Sequence, residues 1–249
     1  MEKRKLLIVS TSKVHGSAYM EYIKDEVKQH FEGCKKLLFI PFARPGGITH
    51  TDYTRKARSV FDELGIEVRG AHRFKSAEEA CVWADGIFTG GGNTFVLLNE
   101  LYHRGYIAPV YRAVKSGKPY MGSSAGSNIA GLSISTTNDM PIVYPPAFKA
   151  LQLVPFNINP HYLDPVKGSS HMGETREQRI SEFHFFNSQP VVGIREGTAL
   201  RVYGNKISIY GDLSVRLFEK GKAPRELKPD ADLSFLLEGE KEPKLPVKR

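Results

Sequence analysis

Gly122-Ser123-Ser124-Ala125-Gly126 follows a short apolar segment, Lys118-Pro-Tyr-Met121, and opens a run of small residues, Ser127-Asn-Ile-Ala-Gly131. A strand delivered into a small-residue helix through so tight a turn reads as a nucleophile elbow. There a serine hydroxyl stands exposed above a sheet, and only small neighbours let the chain bend without clashes. Ser124 is the candidate nucleophile. Gly-x-Ser-x-Gly also occurs in inert loops, so its meaning rests on the strand before it, the helix after it and partners elsewhere in the chain.

Upstream of this turn, strand-like and helix-like segments alternate. Leu6-Leu-Ile-Val9 is an unbroken apolar run, as a strand covered on both faces requires, and Ser17 to Phe31 carries Tyr19, Tyr22, Ile23 and Val27 at helical spacing. Leu37 to Ile40 gives a second strand, Thr51 to Leu64 a helix opened by a Thr or Asp cap, and Ile66 to Val68 a third strand. Ser76 to Ala84 opens on a Ser-x-x-Glu capping box; Gly86 to Thr89 is a strand, and Asn93 to Arg104 and Ile107 to Ser116 are helices. Repeated units of this length predict an α/β fold, a mostly parallel sheet flanked by helices on both faces, with sites at the C-terminal ends of its strands.

Downstream the pattern changes. Thr136 to Ala147 reads as a loop, Leu151 to Val154 as a strand stopped by Pro155, and Gly173 to Phe186 as a helix. Short extra strands follow at Val191–Ile194, Leu200–Tyr203, Lys206–Ile209 and Val215–Phe218, with Gly204-Asn205 as a hairpin turn. Lys220 to Arg249 is charged and Pro-bearing, a tail expected to fray or lie over the surface. With no internal repeat or linker, the expectation is one hydrolytic domain over residues 1–249.

Composition bounds the partners. With 41% hydrophobic and 25% charged residues the 249-residue chain has the make-up of a soluble globular protein. No apolar run approaches a membrane span, and Met1-Glu-Lys-Arg-Lys5 leads straight into a strand, so the expectation is a cytoplasmic protein without a membrane partner. Cys34 and Cys81 lack metal-ligand spacing, which predicts neither a metal site nor a disulfide, and no cofactor is expected. The formal charge of +8 is dispersed apart from Lys3-Arg-Lys5 and Lys241 to Arg249, with no aromatic-interleaved basic stripe, so nucleic acid is not an expected partner. The excess suits attraction of small anionic substrates.

A serine hydroxyl needs a positioned base. Of eight histidines, His161 in Asn157-Ile-Asn-Pro-His161-Tyr-Leu-Asp follows a strand, where its ring would reach the C-terminal edge of a sheet. His171 precedes a helix and His184 lies within one. The base in turn needs a carboxylate, and two compete: Asp139 in Thr136-Thr-Asn-Asp-Met140 and Glu196 in Gly193-Ile-Arg-Glu-Gly-Thr198. Both sit among polar loop residues, so spacing does not separate them; Asp139 alternatively organises its own loop and Glu196 is alternatively an exposed turn residue. For an oxyanion, Gly90-Gly-Gly-Asn-Thr94 lies between a strand and a helix, so the N–H groups of Gly91 or Gly92, with that of Ala125, are the candidate donors.

These segments together resemble the peptidase E family of serine peptidases, the aspartyl dipeptidases, whose fold is glutamine-amidotransferase-like. The resemblance runs through Pro41-Phe-Ala43, Thr89 to Phe95, Gly122 to Gly126, Thr136 to Ile142, Asn159-Pro-His-Tyr162, Gly173-Glu-Thr-Arg-Glu-Gln-Arg-Ile180 and Arg195-Glu-Gly-Thr198, in that order. It implies Ser124 as nucleophile, His161 as general base and then acid, and Asp139 as the acid partner, with Glu196 competing as third member. It also implies hydrolysis of dipeptides, and some short peptides or amides, with N-terminal aspartate; a monomer or homodimer is expected. One departure is Ser123, where the family often has a bulky aromatic. An aspartyl side chain calls for a cation, preferably an arginine, and Arg176 and Arg179, one turn apart, are the candidates, with Glu174 or Glu177 for the substrate's amino group. Glu-x-x-Arg pairs on a helix alternatively form solvated ion pairs. Two neighbouring activities are the alternatives: a cyanophycinase-like β-aspartyl peptidase, and an α/β-hydrolase esterase.

Overall fold

Leu6, Leu7, Ile8 and Val9 are all fully buried, and they alternate between two cores on opposite sides of one sheet. In the computed structural model, which describes residues 4–164 and 173–238, these residues form β1 (Lys5–Val9). Beside it run β2 (Lys36–Ile40), β3 (Glu67–Gly70), β4 (Gly86–Thr89) and β5 (Tyr120–Ser123), all parallel. The helices α1 (Lys24–His30) and α2 (His50–Phe61) cover the face of Leu7, Val9, Phe39 and Phe88. The opposite face, with Leu6, Ile8, Leu38 and Ile87, is covered by α3 (Ala77–Trp83), α4 (Thr94–His103), α5 (Ile107–Lys115) and α6 (Ala125–Asn128). Each Leu, Ile or Phe removed from water in this way is worth roughly 1.5–3 kcal/mol, so the period-two split of the strands fixes the layering.

The C-terminal half does two different things. The hairpin β8 (Ala199–Tyr203) and β9 (Lys206–Tyr210), turned at Gly204-Asn205, extends the large sheet antiparallel from β1, giving the order β3-β2-β4-β5-β1-β8-β9. The strands β6 (Asn157–Pro160), β7 (Val191–Ile194), β10 (Val215–Phe218) and β11 (Arg225–Leu227) form a second sheet, ordered β11-β10-β7-β6, in which β6 and β7 run parallel. Between β6 and β7 lies α7 (Arg176–Phe186), held at its start by a capping box of Thr175 and Gln178. The tail is laid down as far as Glu238: Leu233 and Leu236 are buried, and the Leu233 N–H donates to Ile207 O at 3.1 Å.

Three expectations change. Leu151 to Val154 is buried but is not a strand. Its N–H groups donate to the carbonyls of Ile129, Gly131 and Ala130 just beyond α6, so the apolar run closes the end of a short helix. The helix predicted from Ser17 begins at Lys24, because Met20 takes φ 60° and a 3-10 turn fills Glu21–Ile23. At α3 the cap is half a box: Ser76 accepts from the Glu79 N–H, but the Glu79 carboxylate reaches the N–H of Lys75.

Candidate active site

The elbow is built by close approach. A Cβ on Gly122 would lie 2.3 Å from Gly126 O, and one on Gly126 would lie 2.1 Å from Thr89 O, so neither position accepts a larger residue. Between them Ser124 takes φ 56° and ψ −114°, a conformation that costs a non-glycine residue about 1–3 kcal/mol and must be held by its surroundings. The Ser124 N–H donates to Val9 O at 3.1 Å. Ser127 Oγ lies 2.7 Å from both the Val9 and Gly122 carbonyl oxygens and ties the turn to β1.

The candidate base arrives from the other sheet. Pro160 of β6 pairs with Ile194 of β7, so the residues just beyond these strands, His161 and Glu196, emerge at the same end. His161, with φ 53°, places Nε2 2.8 Å from Ser124 Oγ and Nδ1 2.6 Å from Glu196 Oε1. With a carboxylate on Nδ1, that nitrogen carries the proton and Nε2 is left as acceptor for the serine hydroxyl, the tautomer that proton abstraction requires. Ser10, at the end of β1, joins the two sheets at this point. Its hydroxyl donates to Ile194 O at 2.8 Å and accepts the His161 N–H at 2.9 Å, while its own N–H donates to Thr198 O. Behind Glu196 lies Tyr22, whose phenol is pushed well above its ordinary range by burial and then by the Glu196 charge.

Asp139, the rival carboxylate, is elsewhere. Its Oδ2 accepts from the Thr94 N–H at 2.8 Å, the Thr94 hydroxyl at 2.6 Å and the Thr137 hydroxyl at 3.2 Å. A carboxylate there satisfies the first turn of α4 and favours its dipole. It makes no hydrogen bond to His161; it braces the glycine turn that precedes α4, helped by Asn93 Nδ2 donating to Met140 O at 2.9 Å.

That turn faces the serine. A Cβ on Gly91 would sit 2.9 Å from Ser124 Cβ and 3.4 Å from its Oγ. The N–H groups of Gly91, Gly92 and Ala125 donate to no acceptor among the described residues. The buried Tyr53 of α2 donates its hydroxyl to Gly91 O at 3.0 Å. Since the peptide is trans, the Gly92 N–H points away from Tyr53. Burial pushes the Tyr53 phenol up, keeping it a neutral donor.

The four residues expected to meet substrate divide. Glu177 binds Arg216 at 2.8 Å and Arg179 lies 3.5 Å from Glu174, so three of the four are held in ion pairs of their own. Arg176 has no carboxylate within ion-pair distance among the described residues, and its guanidinium is held below the ordinary arginine range by burial and by Arg179, with Asp139 acting in the opposite sense. His184 lies 3.0 Å from Gln189 O within its own connection, and His171 lies outside the described residues. No three His, Cys, Asp or Glu side chains come together as a metal site among the described residues. None of their helices is long and apolar enough to cross a membrane.

Ser10, Tyr53 and Ser127 were not visible as site residues in the sequence. The available signal was position: Ser10 stands immediately after the apolar run of β1, where open parallel sheets carry their sites.

Residues 6–210 match the model of Peptidase family S51. The chain is 47% identical over 238 residues to "Probable alpha-aspartyl dipeptidase" of Drosophila melanogaster, covering 94% of this chain and 98% of that protein. It is 48% identical over 233 residues to "Peptidase E" of Streptomyces coelicolor, covering 94% and 95%. Among solved structures, a peptidase from an acI-B1 actinobacterium superposes with a TM-score of 0.71 over 93% of this chain and 97% of the other; at 20% identity that likeness bears on the fold.

Proposed function

The chain belongs to Peptidase family S51 and is a serine peptidase; from that premise we propose that it is a dipeptidase that cleaves after an N-terminal aspartate, with Ser124, His161 and Glu196 as its catalytic residues. The observation that carries this reading is the hydrogen-bonded line from Glu196 Oε1 through both ring nitrogens of His161 to Ser124 Oγ. The name of the Drosophila relative, probable alpha-aspartyl dipeptidase, supports the substrate class.

Ser124 Oγ attacks the peptide carbonyl as His161 Nε2 takes its proton; Glu196 holds the ring and stabilises the imidazolium. The developing oxyanion rests on the N–H groups of Ala125 and of Gly91 or Gly92, three donors with no competing acceptor in the described chain. His161 then protonates the leaving amine, and water repeats the sequence to free the acyl group. Arg176 meets the aspartyl carboxylate, since it is the cation of its helix pair without a carboxylate partner among the described residues.

A dipeptide panel with Asp, Asn, Glu and β-linked Asp in the first position tests the substrate. The expected result is cleavage of Asp-Leu, with Asn-Leu and Glu-Leu slower by at least tenfold in kcat/KM. Preference for β-linked Asp would replace the reading by a β-aspartyl peptidase. Failure of a fluorophosphonate to label Ser124 would remove the nucleophile.

A further inference from the structure

We propose that the pocket between α2 and the C-terminal end of β3 binds a phosphate-like oxyanion, at a site separate from the Ser124 centre. On α2, Thr51, Thr54, Arg55 and Arg58 fall at positions i, i+3, i+4 and i+7, one stripe of the helix. That stripe faces Arg69 and Gly70 of β3 and the following His72-Arg73 across a cavity of about 190 Å³. Four arginines therefore line one small depression, the Arg69 guanidinium lying over the rings of Trp83 and Phe74.

Their charge is only half compensated. Arg55 binds Asp52 at 2.6 Å and Arg69 binds Glu67 at 3.1 Å. Arg58 instead donates to Val68 O at 3.1 Å and Arg73 to Thr51 Oγ1 at 3.3 Å, and neither has a carboxylate partner among the described residues. The wall also holds His72, whose Nδ1 is buried without a hydrogen-bond partner in the described chain. Burial, and then His50, Arg73 and Arg104, hold that imidazole below its ordinary range, so the ring stays neutral in a positive field. The backbone is shaped to fit: a Cβ on Gly70 would lie 2.5 Å from both His72 Cε1 and Thr54 Oγ1, so a side chain there would push the wall into the cavity.

Size and chemistry select the ligand. The volume equals roughly six waters at about 30 Å³ each, room for a tetrahedral anion with part of its hydration, and short of the roughly 300–1,000 Å³ of an ordinary organic ligand site. Arginines favour phosphate oxygens because their planar forks donate two parallel hydrogen bonds. The occupant is a free phosphate ion or the phosphoryl end of a small phosphate monoester.

The test is binding to the full chain, independent of catalysis. Inorganic phosphate, phosphoserine and aspartate are titrated at constant ionic strength, and backbone amide shifts are followed by NMR. Saturable shifts confined to residues around Thr51, Gly70 and Arg73 are expected, with the dissociation constant raised at least tenfold in Arg58→Gln/Arg73→Gln. Lys28→Gln, which removes a surface charge in the last turn of α1, should leave binding within twofold. Tighter binding of inorganic phosphate identifies the free ion, and tighter binding of phosphoserine identifies a monoester. Unsaturable shifts, shifts scattered over the basic surface, equal weakening by Lys28→Gln, or binding of aspartate in place of both phosphates would overturn the proposal. A variant that melts below the parent is replaced by Arg58→Lys/Arg73→Lys, which keeps the charge and should bind more weakly through loss of the fork.

Discussion

The proposed nucleophile and its proposed base are held by opposite kinds of structure. Ser124 is fixed by residues close to it in sequence: Gly122 lets the turn fold on itself, Gly126 lets it seat against Thr89 of β4, and Ser127, three residues on, pins it to β1. His161 and Glu196 stand 35 residues apart, just beyond the ends of two parallel strands of the smaller sheet. They are brought to the serine across a seam between two sheets, and Ser10 joins that seam. The elbow is therefore a local device that a short sequence can specify, while the base and its carboxylate are a tertiary device that depends on the docking of one sheet on another.

The sharpest way to break the comparison is at the shared hydrogen bond. Ser124→Ala and His161→Ala should each lower kcat on Asp-Leu by about 10⁴-fold or more, with melting temperatures near the parent's, and the double variant should be little worse than either single one. Additive losses would mean that the two groups do not act as a unit. The next largest effect separates the two carboxylates. Glu196→Gln should cost roughly 10³–10⁴-fold in kcat, because the amide no longer fixes the tautomer of His161. Asp139→Asn should chiefly lower stability, by about 1 kcal/mol, through the weakened start of α4, as read by urea unfolding. The opposite ranking would return Asp139 to the base.

The seam itself comes next. Ser10→Ala leaves the His161 N–H and the Ile194 carbonyl without their partner, a loss of about 1–3 kcal/mol that should appear as a roughly tenfold to hundredfold fall in kcat/KM. A stability loss with unchanged kcat/KM would show that the sheets find register without it. The smallest effect belongs to the glycine turn that faces the serine. Tyr53→Phe removes one bond to the glycine turn and should reduce kcat roughly two- to tenfold with KM unchanged, since the donors that loosen are used only as charge develops. A change confined to KM would place Tyr53 in substrate binding instead.

The same division explains what could be read from the sequence. The parallel strands, the helices between them and the elbow were legible because each depends on local apolar spacing and small residues. The second sheet was not, because Val191 to Ile194 and Val215 to Phe218 look alike as strings, and only pairing partners separate them from the strands that extend the large sheet. Leu151 to Val154 was misread for a related reason: burial makes a segment apolar, but the destination of its N–H groups decides whether it is a strand. His161 was found through its position after a strand. Asp139 and Glu196 stayed equal because a carboxylate's meaning lies in what it touches, and Thr94 in one case and His161 in the other are invisible to spacing. The same holds for Glu177, whose partner Arg216 lies 39 residues downstream.

Among non-glycine residues of the described chain, only Met20, Ser124, Gln152 and His161 carry a positive φ, and two of these four share the hydrogen bond between hydroxyl and imidazole. Heat tolerance and turnover thus pull against each other at one address. A Ser124→Gly chain, relieved of its steric burden, should melt a few degrees above the parent in calorimetry while hydrolysing nothing. If so, an ancestor or relative that had lost this serine would be the sturdier molecule, and the tightness of the bend would be a record of selection for activity over endurance.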